Sequence, residues 1–250
     1  MITLYDIPAN VPGGAFSPNT HKARLSIAFK GLQFKTEWVE MCDIEPKMKE
    51  LGAQPTTTKP DGSPMYTLPV IYDDATGKYI SDSMKISEYL EATYPDKPSL
   101  YPFEAHAPIR MFHEFFHSNA IKPAVLLITL AVLPKINAPS FDHIRRTREA
   151  IFGKTLEELT PKGDERTAQL ASCKAGFSKL AEVYSSNGDG KPYFYGAVPS
   201  YADLIVAAYL LWIKASIGHE SPEWKEISGE WDGGQWGELL NLLWKYNVAG

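Results

Sequence analysis

Apolar and polar positions change period repeatedly over the first 95 residues, and each change marks an element. Ile2 to Tyr5 reads as a strand. Ser17-Pro18 sets a capping residue before a proline at the first helical position, and Leu25, Ala28, Phe29 and Leu32 then recur on one helical face, with Gly31 near its end. Phe34, Thr36 and Trp38 alternate as a strand does, Ile44 to Leu51 suits a short helix, and Pro55 to Pro64 is a turn-rich loop. Val70 to Tyr72 and Lys78 to Ile80 form a hairpin around Asp73-Asp74-Ala75-Thr76-Gly77, and a helix from Ser83 to Tyr94 follows. The order β-α-β-α-β-β-α predicts a mixed sheet, parallel early and antiparallel late, with helices on its faces.

Pro95 to Pro108 carries four prolines and little periodicity, as a linker does. Beyond it the periods are helical. Ile109, Phe112 and Phe116 form one stripe, Ala124 to Leu133 ends at Pro134, and further helices fit Phe141 to Phe152 and Thr167 to Tyr184. Gly188-Asp189-Gly190 breaks the chain, and Ser200 and Asp203 have the spacing of a capping box ahead of Leu204 to Ile213, an apolar run that reads as a helix buried on all sides. An amphipathic segment from Trp236 to Trp244 closes the pattern. The expected organisation is an α/β domain over residues 1–95, a linker over 96–108 and an all-helical domain over 109–250.

Length and charge narrow the function classes. A chain of 250 residues is natural for two domains with real cores, and a net charge of -5 gives no footprint for nucleic acid or for an anionic membrane. The longest apolar run is too short for a bilayer, where about 20 residues are needed. Cys42 and Cys173 stand far apart without a CxxC motif, the usage of a reduced compartment, and both read as buried side chains. Ile2 opens a strand without a basic region and long apolar run before it, so the expected location is the cytosol.

The chemistry suggested by residue types concentrates in two places. Pro69 opens a Val/Ile strand and donates no ladder hydrogen bond, so it belongs at a strand start or edge where backbone can pair with a ligand. Ser83 is placed to cap the following helix, whose free amides attract a carboxylate, while Asp82 suits an ammonium group. A γ-glutamyl residue carries both charges, and the tripeptide glutathione has a backbone that would pair with the edge around Pro69. Ser17 by itself reads as a helix N-cap.

Ser17-Pro18, Leu68-Pro69-Val70, Asp82-Ser83 and Ser200-Tyr201-Ala202-Asp203-Leu204 together resemble the landmarks of the glutathione transferases. Pro64 to Ile71 with Ile80 to Ser83 is similar, more narrowly, to the fungal etherase-related group, the fungal-specific class A, whose bacterial relatives cleave lignin aryl ethers. The resemblance implies an N-terminal thioredoxin-like domain, an all-helical C-terminal domain, glutathione as co-substrate without a metal, and a homodimer. It makes Ser17 the candidate catalytic residue, whose hydroxyl donates to glutathione's thiolate at a helix N-terminus, with Asn19 and Thr20 close enough to share the role. It assigns Leu68 to backbone pairing with the cysteinyl part, Pro69 to holding that edge through a cis bond, and Asp82 and Ser83 to the γ-glutamyl end. Several relatives place a lysine where this chain has Thr67, which leaves Lys59 as a substitute or as a solvated loop residue.

His113-Glu114-Phe115-Phe116-His117 is a literal HExxH, the zinc-protease string. The nearest downstream acidic residue, Asp142, lies beyond a proline-containing stretch and no GxxH extension follows, so the string reads as part of a packing stripe. For an apolar co-substrate, Phe16, Phe115 and Trp212 are the candidate wall, with Trp231 or Trp236 as further aromatics. Two functions fit: a transferase attacking hydrophobic aromatic electrophiles, aryl ethers among them, and a ligandin-type protein binding aromatic or polyphenolic compounds with weak catalysis.

Overall fold

The computed structural model describes residues 1–248. These divide into two units, one of residues 1–100, 135–144 and 246–248, the other of residues 101–134 and 145–245. The division near residue 100 lies within 96–108, whereas 135–144 and 246–248 group with the first unit and not with the helical one. Alternating pattern gave no hint of this, because the return is made by backbone and polar contacts.

In the first unit β1 (Ile2–Asp6), α1 (Pro18–Phe29), β2 (Phe34–Trp38), α2 (Ile44–Glu50), β3 (Thr57–Thr58), β4 (Pro64–Met65), β5 (Val70–Asp73), β6 (Lys78–Ser81) and α3 (Ser83–Thr93) follow in order. The four-stranded sheet runs β2-β1-β5-β6. Strands β1 and β2 are parallel, with Ile2 opposite Phe34, whereas β5 is antiparallel to both β1 and β6, with Val70 opposite Tyr5 and Ser81. This is the mixed sheet that the period changes predict, in the thioredoxin-like arrangement that the family resemblance implies. The turn-rich loop differs by carrying a small β3-β4 pair of its own.

Helix α1 departs from its one-faced pattern. Its polar residues Thr20, His21, Lys22, Arg24 and Ser26 are as buried as Leu25, Ile27 and Phe29. Arg24 meets Asp6 of β1 at 2.7 Å, and neither side chain reaches water. The guanidinium lies over the Phe34 and Trp38 rings and donates to the Val248 carbonyl at 3.2 Å, while Tyr246 packs edge-on against Phe29. Lys30, at the end of the helix, is equally buried and pairs with Glu91 of α3 at 2.7 Å. Glu91 also accepts from the amide of Leu100 and from Ser99, so the start of the expected linker is fastened down.

The second unit holds α4 (His106–Phe116), α5 (Val125–Ala131), most of α6 (Ala138–Phe152), α7 (Leu156–Leu159), α8 (Gly163–Ser185), α9 (Tyr201–Ile217), α10 (Pro222–Gly229) and α11 (Gln235–Leu243). Helices α7 and α10 are short and had no periodic signal. Helix α9 is buried around its circumference, as its apolar run predicts. Buried Asp203 of α9 accepts from the amides of Ser200 and Phe194 and from the hydroxyls of Ser200 and Tyr184, which closes the predicted capping box. Gly176 lets α8 close on a π-turn at His117–Ile121, since a β-carbon there would stand 2.2 Å from the Asn119 carbonyl.

The Asp6–Arg24 pair generates the first expected outcome. Asp6→Ala strands a buried guanidinium and should lower the unfolding free energy by about 3–5 kcal/mol. Denaturant titration measures this, and a loss below about 1 kcal/mol would place the anchorage of α1 elsewhere.

Candidate active site

The topology gathers the candidate glutathione residues of the first unit at one end of the sheet. Strand β1 ends at Asp6 beside the start of β5, because Tyr5 pairs with Val70, and the chain leaving β1 turns through a loop into Ser17 and α1. Strand β6 ends at Ser81 opposite Val70, and the amide of Asp82 donates to the Pro69 carbonyl at 3.3 Å. Leu68-Pro69 and Asp82-Ser83 are thus neighbours although a hairpin separates them in sequence.

Ser17 occupies the N-cap position of α1 with extended backbone, φ -66° and ψ 129°, yet its hydroxyl makes no capping bond. The plain N-cap reading is therefore incorrect for the side chain. The Ser17 carbonyl, by contrast, accepts from the amide of His21 at 3.0 Å and from the Thr20 hydroxyl at 3.1 Å. Thr20 is fully buried with its proton already donated, so it is no alternative to Ser17. Asn19 is exposed. Pro18, first in the helix, brings no amide, and the next amides are those of Asn19 and Thr20, so the positive end of the helix dipole opens beside the serine.

The Leu68–Pro69 bond is cis. Among the described residues, neither the amide nor the carbonyl of Leu68 has a backbone partner, although the residue is only 4 % exposed. A buried backbone edge of this kind calls for a main-chain partner. The neighbouring Thr67 hydroxyl is bound to that of Thr56 at 2.8 Å.

Asp82, not Ser83, is the N-cap of α3. Its Oδ1 accepts from the amides of Met84 at 2.9 Å and Lys85 at 3.1 Å, and its backbone takes φ +82° to allow this. The second oxygen, Oδ2, accepts nothing from the described residues and is the atom left for an ammonium group. Ser83 becomes the first helical residue, and the serine expected to cap is displaced by a stronger, charged acceptor.

Lys59 is not available as a substitute for the lysine absent at Thr67. Its ammonium pairs with Glu45 at 2.7 Å, and hydrogen bonds from Lys49 and then Lys59 hold the Glu45 carboxyl down at about 2. Cys42 is half-buried rather than buried, and partial desolvation together with Asp43 raises its thiol pKa; burial pushes Cys173 up to about 12. Neither is set up as a thiolate at neutral pH.

The aromatic candidates fall in different units. Phe16 is buried in the first. In the second, Phe115 is 40 % exposed, whereas Trp212 is 4 % exposed with its ring 6.1 Å from that of Tyr209. Trp231 and Trp236 are packing residues against Phe177, with indole protons donated to Glu226 and Asp232. The rings of His113 and His117 are 6.4 Å apart, and no cluster of three or more metal-binding side chains exists among the described residues.

His21, which sequence reasoning passed over, stands one turn behind Ser17. Its buried ring is hydrogen-bonded to the Ala15 backbone, and Nδ1 has no partner. Burial, reinforced by Arg24 and opposed by Asp6, holds its pKa down at about 4. A helical stripe cannot reveal such a residue, because the helix has no exposed face on which a buried polar group would stand out.

Two family models match this chain, the glutathione S-transferase N-terminal domain over residues 16–93 and the C-terminal domain over residues 107–246. The chain belongs to the glutathione S-transferase family. It is accordingly an enzyme whose co-substrate is glutathione. The glutathione S-transferase-like protein ustS of Aspergillus flavus is 29 % identical over 90 % of this chain and 83 % of its own length. A glutathione S-transferase of Ceriporiopsis subvermispora, solved in complex with glutathione, is 42 % identical over 99 % of this chain and 98 % of its own, with a TM-score of 0.93. Glutathione transferase GSTFuA3 of Phanerochaete chrysosporium is 36 % identical over 99 % and 97 %, with a TM-score of 0.91.

For this transferase the sign of the His21 effect follows from its depressed pKa. The folded state prefers the neutral ring, so stability is fully present above about pH 6.5 and is lost as pH falls toward about 4. Denaturant titrations between those limits should show a shallower acid limb in His21→Asn than in the unaltered chain. Superimposable slopes would mean that His21 is not the group titrating.

Proposed function

We propose that this transferase activates glutathione through Ser17 and directs the thiolate at hydrophobic aromatic electrophiles, aryl ethers among them. The observation that carries the reading is the hydroxyl of Ser17, a buried residue at a helix start, which is bound to no capping amide. A hydroxyl so placed donates to a sulfur anion where the helix dipole already favours negative charge. Each pKa unit by which the thiol is lowered corresponds to about 1.4 kcal/mol of preference for the thiolate. The Leu68 edge and Asp82 Oδ2 supply what the rest of the tripeptide needs, main-chain pairing for the cysteinyl part and a carboxylate for the γ-glutamyl ammonium.

In the reaction the sulfur lone pair forms a bond to the electrophilic carbon as the bond from that carbon to an aryl oxygen or halide breaks, and the leaving group departs with the electron pair. Conjugation and ether cleavage share this step. The fungal etherase-related assignment is supported by residues 64–71 and 80–83 and by the fungal structures that this chain resembles over nearly its whole length. The Ceriporiopsis relative was solved with glutathione bound, which supports the same ligand here. The protein works as a homodimer in the cytosol on this reading, with the oligomeric state to be checked by light scattering on the eluting peak.

The test is the pH dependence of conjugation to an activated aryl halide. Ser17→Ala should cut the rate at neutral pH about 10-fold or more and raise the apparent thiol pKa by about one unit or more, while Asn19→Ala leaves both in place. A Ser17→Ala enzyme with an unchanged pH profile would refute the serine assignment. Negligible turnover in every variant, despite tight glutathione binding, would turn the reading toward a ligandin-type carrier.

A further inference from the structure

Residues 7–16 form a narrow loop between β1 and Ser17. Within it the Ala9 amide donates to the Gly14 carbonyl at 2.8 Å, and Pro8 bridges Ala15. From inside, the loop is held by His21 at Ala15 and by the Trp38 ring, which lies so close that a β-carbon at Gly14 would stand 3.1 Å from it. From outside, it is held by the segment that returns from the helical region. The Asn10 amide donates to the Lys135 carbonyl at 2.6 Å, and Ala9 forms a bridge with Ile136.

That returning segment has its own anchor at the start of α6. Asn137 donates to Glu40 Oε1 at 2.6 Å, and the fully buried Ser140 donates to Oε2. The Ser140 hydroxyl accepts in turn from the amide of Met41 at 2.9 Å. Glu40 is thus a carboxylate seated at the N-terminus of a 15-residue helix, where the helix dipole favours negative charge. Its two oxygens grip the first turn from the chain just beyond β2.

We propose that Glu40 and the first turn of α6 form a clamp that positions Ser17. The carboxylate fixes Asn137 and Ser140, the residues 135–136 just before them fix Ala9 and Asn10, and the loop so pinned delivers Ser17 to the start of α1. Glu40 touches no substrate and is a positioning residue. This inference rests on the serine reading of the reaction. Its physical content is geometric: a hydrogen bond to sulfur weakens steeply with distance and angle, so a loop released at its tip leaves the hydroxyl in place on average but misaligned for much of the time.

The experiment titrates the thiolate absorbance of bound glutathione in four proteins: the unaltered chain, Ser17→Ala, Glu40→Ala and the double variant. Glutathione affinity and thermal unfolding are measured alongside. Glu40→Ala should raise the bound thiol pKa by about half a unit or more and lower kcat about threefold at neutral pH, with KM for glutathione within about twofold. Added to Ser17→Ala, it should raise the pKa no further, because a clamp acts only through the hydroxyl that it places. If Ser17→Ala raises the pKa and Glu40→Ala does not, the clamp is overturned while the serine reading stands. If the two effects simply add, Glu40 acts by another route and the clamp is overturned as well. If Ser17→Ala itself leaves the pKa in place, the serine reading falls and takes the clamp with it. Should Glu40→Ala fail to fold, Asn137→Ala removes one exposed arm of the same clamp and the same outcomes apply.

Discussion

Asp6 and Arg24 meet at 2.7 Å inside the first unit, and the placement of the site follows from their pairing. Asp6 ends β1, receives the Ile7 amide on its other oxygen and offers its own carbonyl to Val39 beyond β2. Arg24 lies midway along α1, flanked by Phe34 and Trp38 of β2. A buried ion pair contributes little net stability against a well-packed apolar alternative, but an unpaired charge there is costly, so few placements of α1 on the sheet are tolerated. The start of α1, and Ser17 with it, is thereby referred to the same end of the sheet as Pro69 and Asp82.

Around that end the polar groups divide by whether the fold already uses them. The Thr20 hydroxyl, the amides capped by Asp82 Oδ1, the Thr67 hydroxyl and the Lys59 ammonium are all bound within the first unit. The Ser17 hydroxyl, the Leu68 amide and carbonyl and Asp82 Oδ2 are not bound by the described residues. His21 Nδ1 and Ser81 Oγ are buried without a partner among the described residues as well, but the Ser17 hydroxyl, the Leu68 edge and Asp82 Oδ2 together outline a ligand. The outline has a proton donor for a sulfur anion, an edge for a peptide backbone and an acceptor for an ammonium group. Glutathione presents those three features in one molecule.

Much of this was legible in the sequence because it depends on local rules. Period changes gave the mixed sheet, a ten-residue apolar run gave the buried helix α9, and the spacing of Ser200 and Asp203 gave its cap. Pro69 drew attention because it brings no amide to the start of a strand, and Asp82 because it sets a negative charge at a helix start, where it can cap the helix or hold a ligand. What stayed hidden depends on residues far apart in sequence. The polar burial of α1 requires Asp6, Glu91 and Val248, and the return of 135–144 depends on Glu40, an acid indistinguishable in sequence from any solvated one. The exchange of capping roles between Ser83 and Asp82 turns on a single backbone angle, φ +82°, that aspartate is rarely asked to adopt.

The central claim is that the Ser17 hydroxyl, the Leu68 edge and Asp82 Oδ2 meet one tripeptide. A crystal structure of the protein with glutathione, at a resolution that fixes the sulfur, tests it most directly. The account expects the sulfur within about 3.5 Å of Ser17 Oγ, the cysteinyl main chain paired with Leu68 and the γ-glutamyl ammonium on Asp82 Oδ2. A sulfur resting on Asn19 or on Cys42, with the Leu68 edge still unpaired, would contradict it.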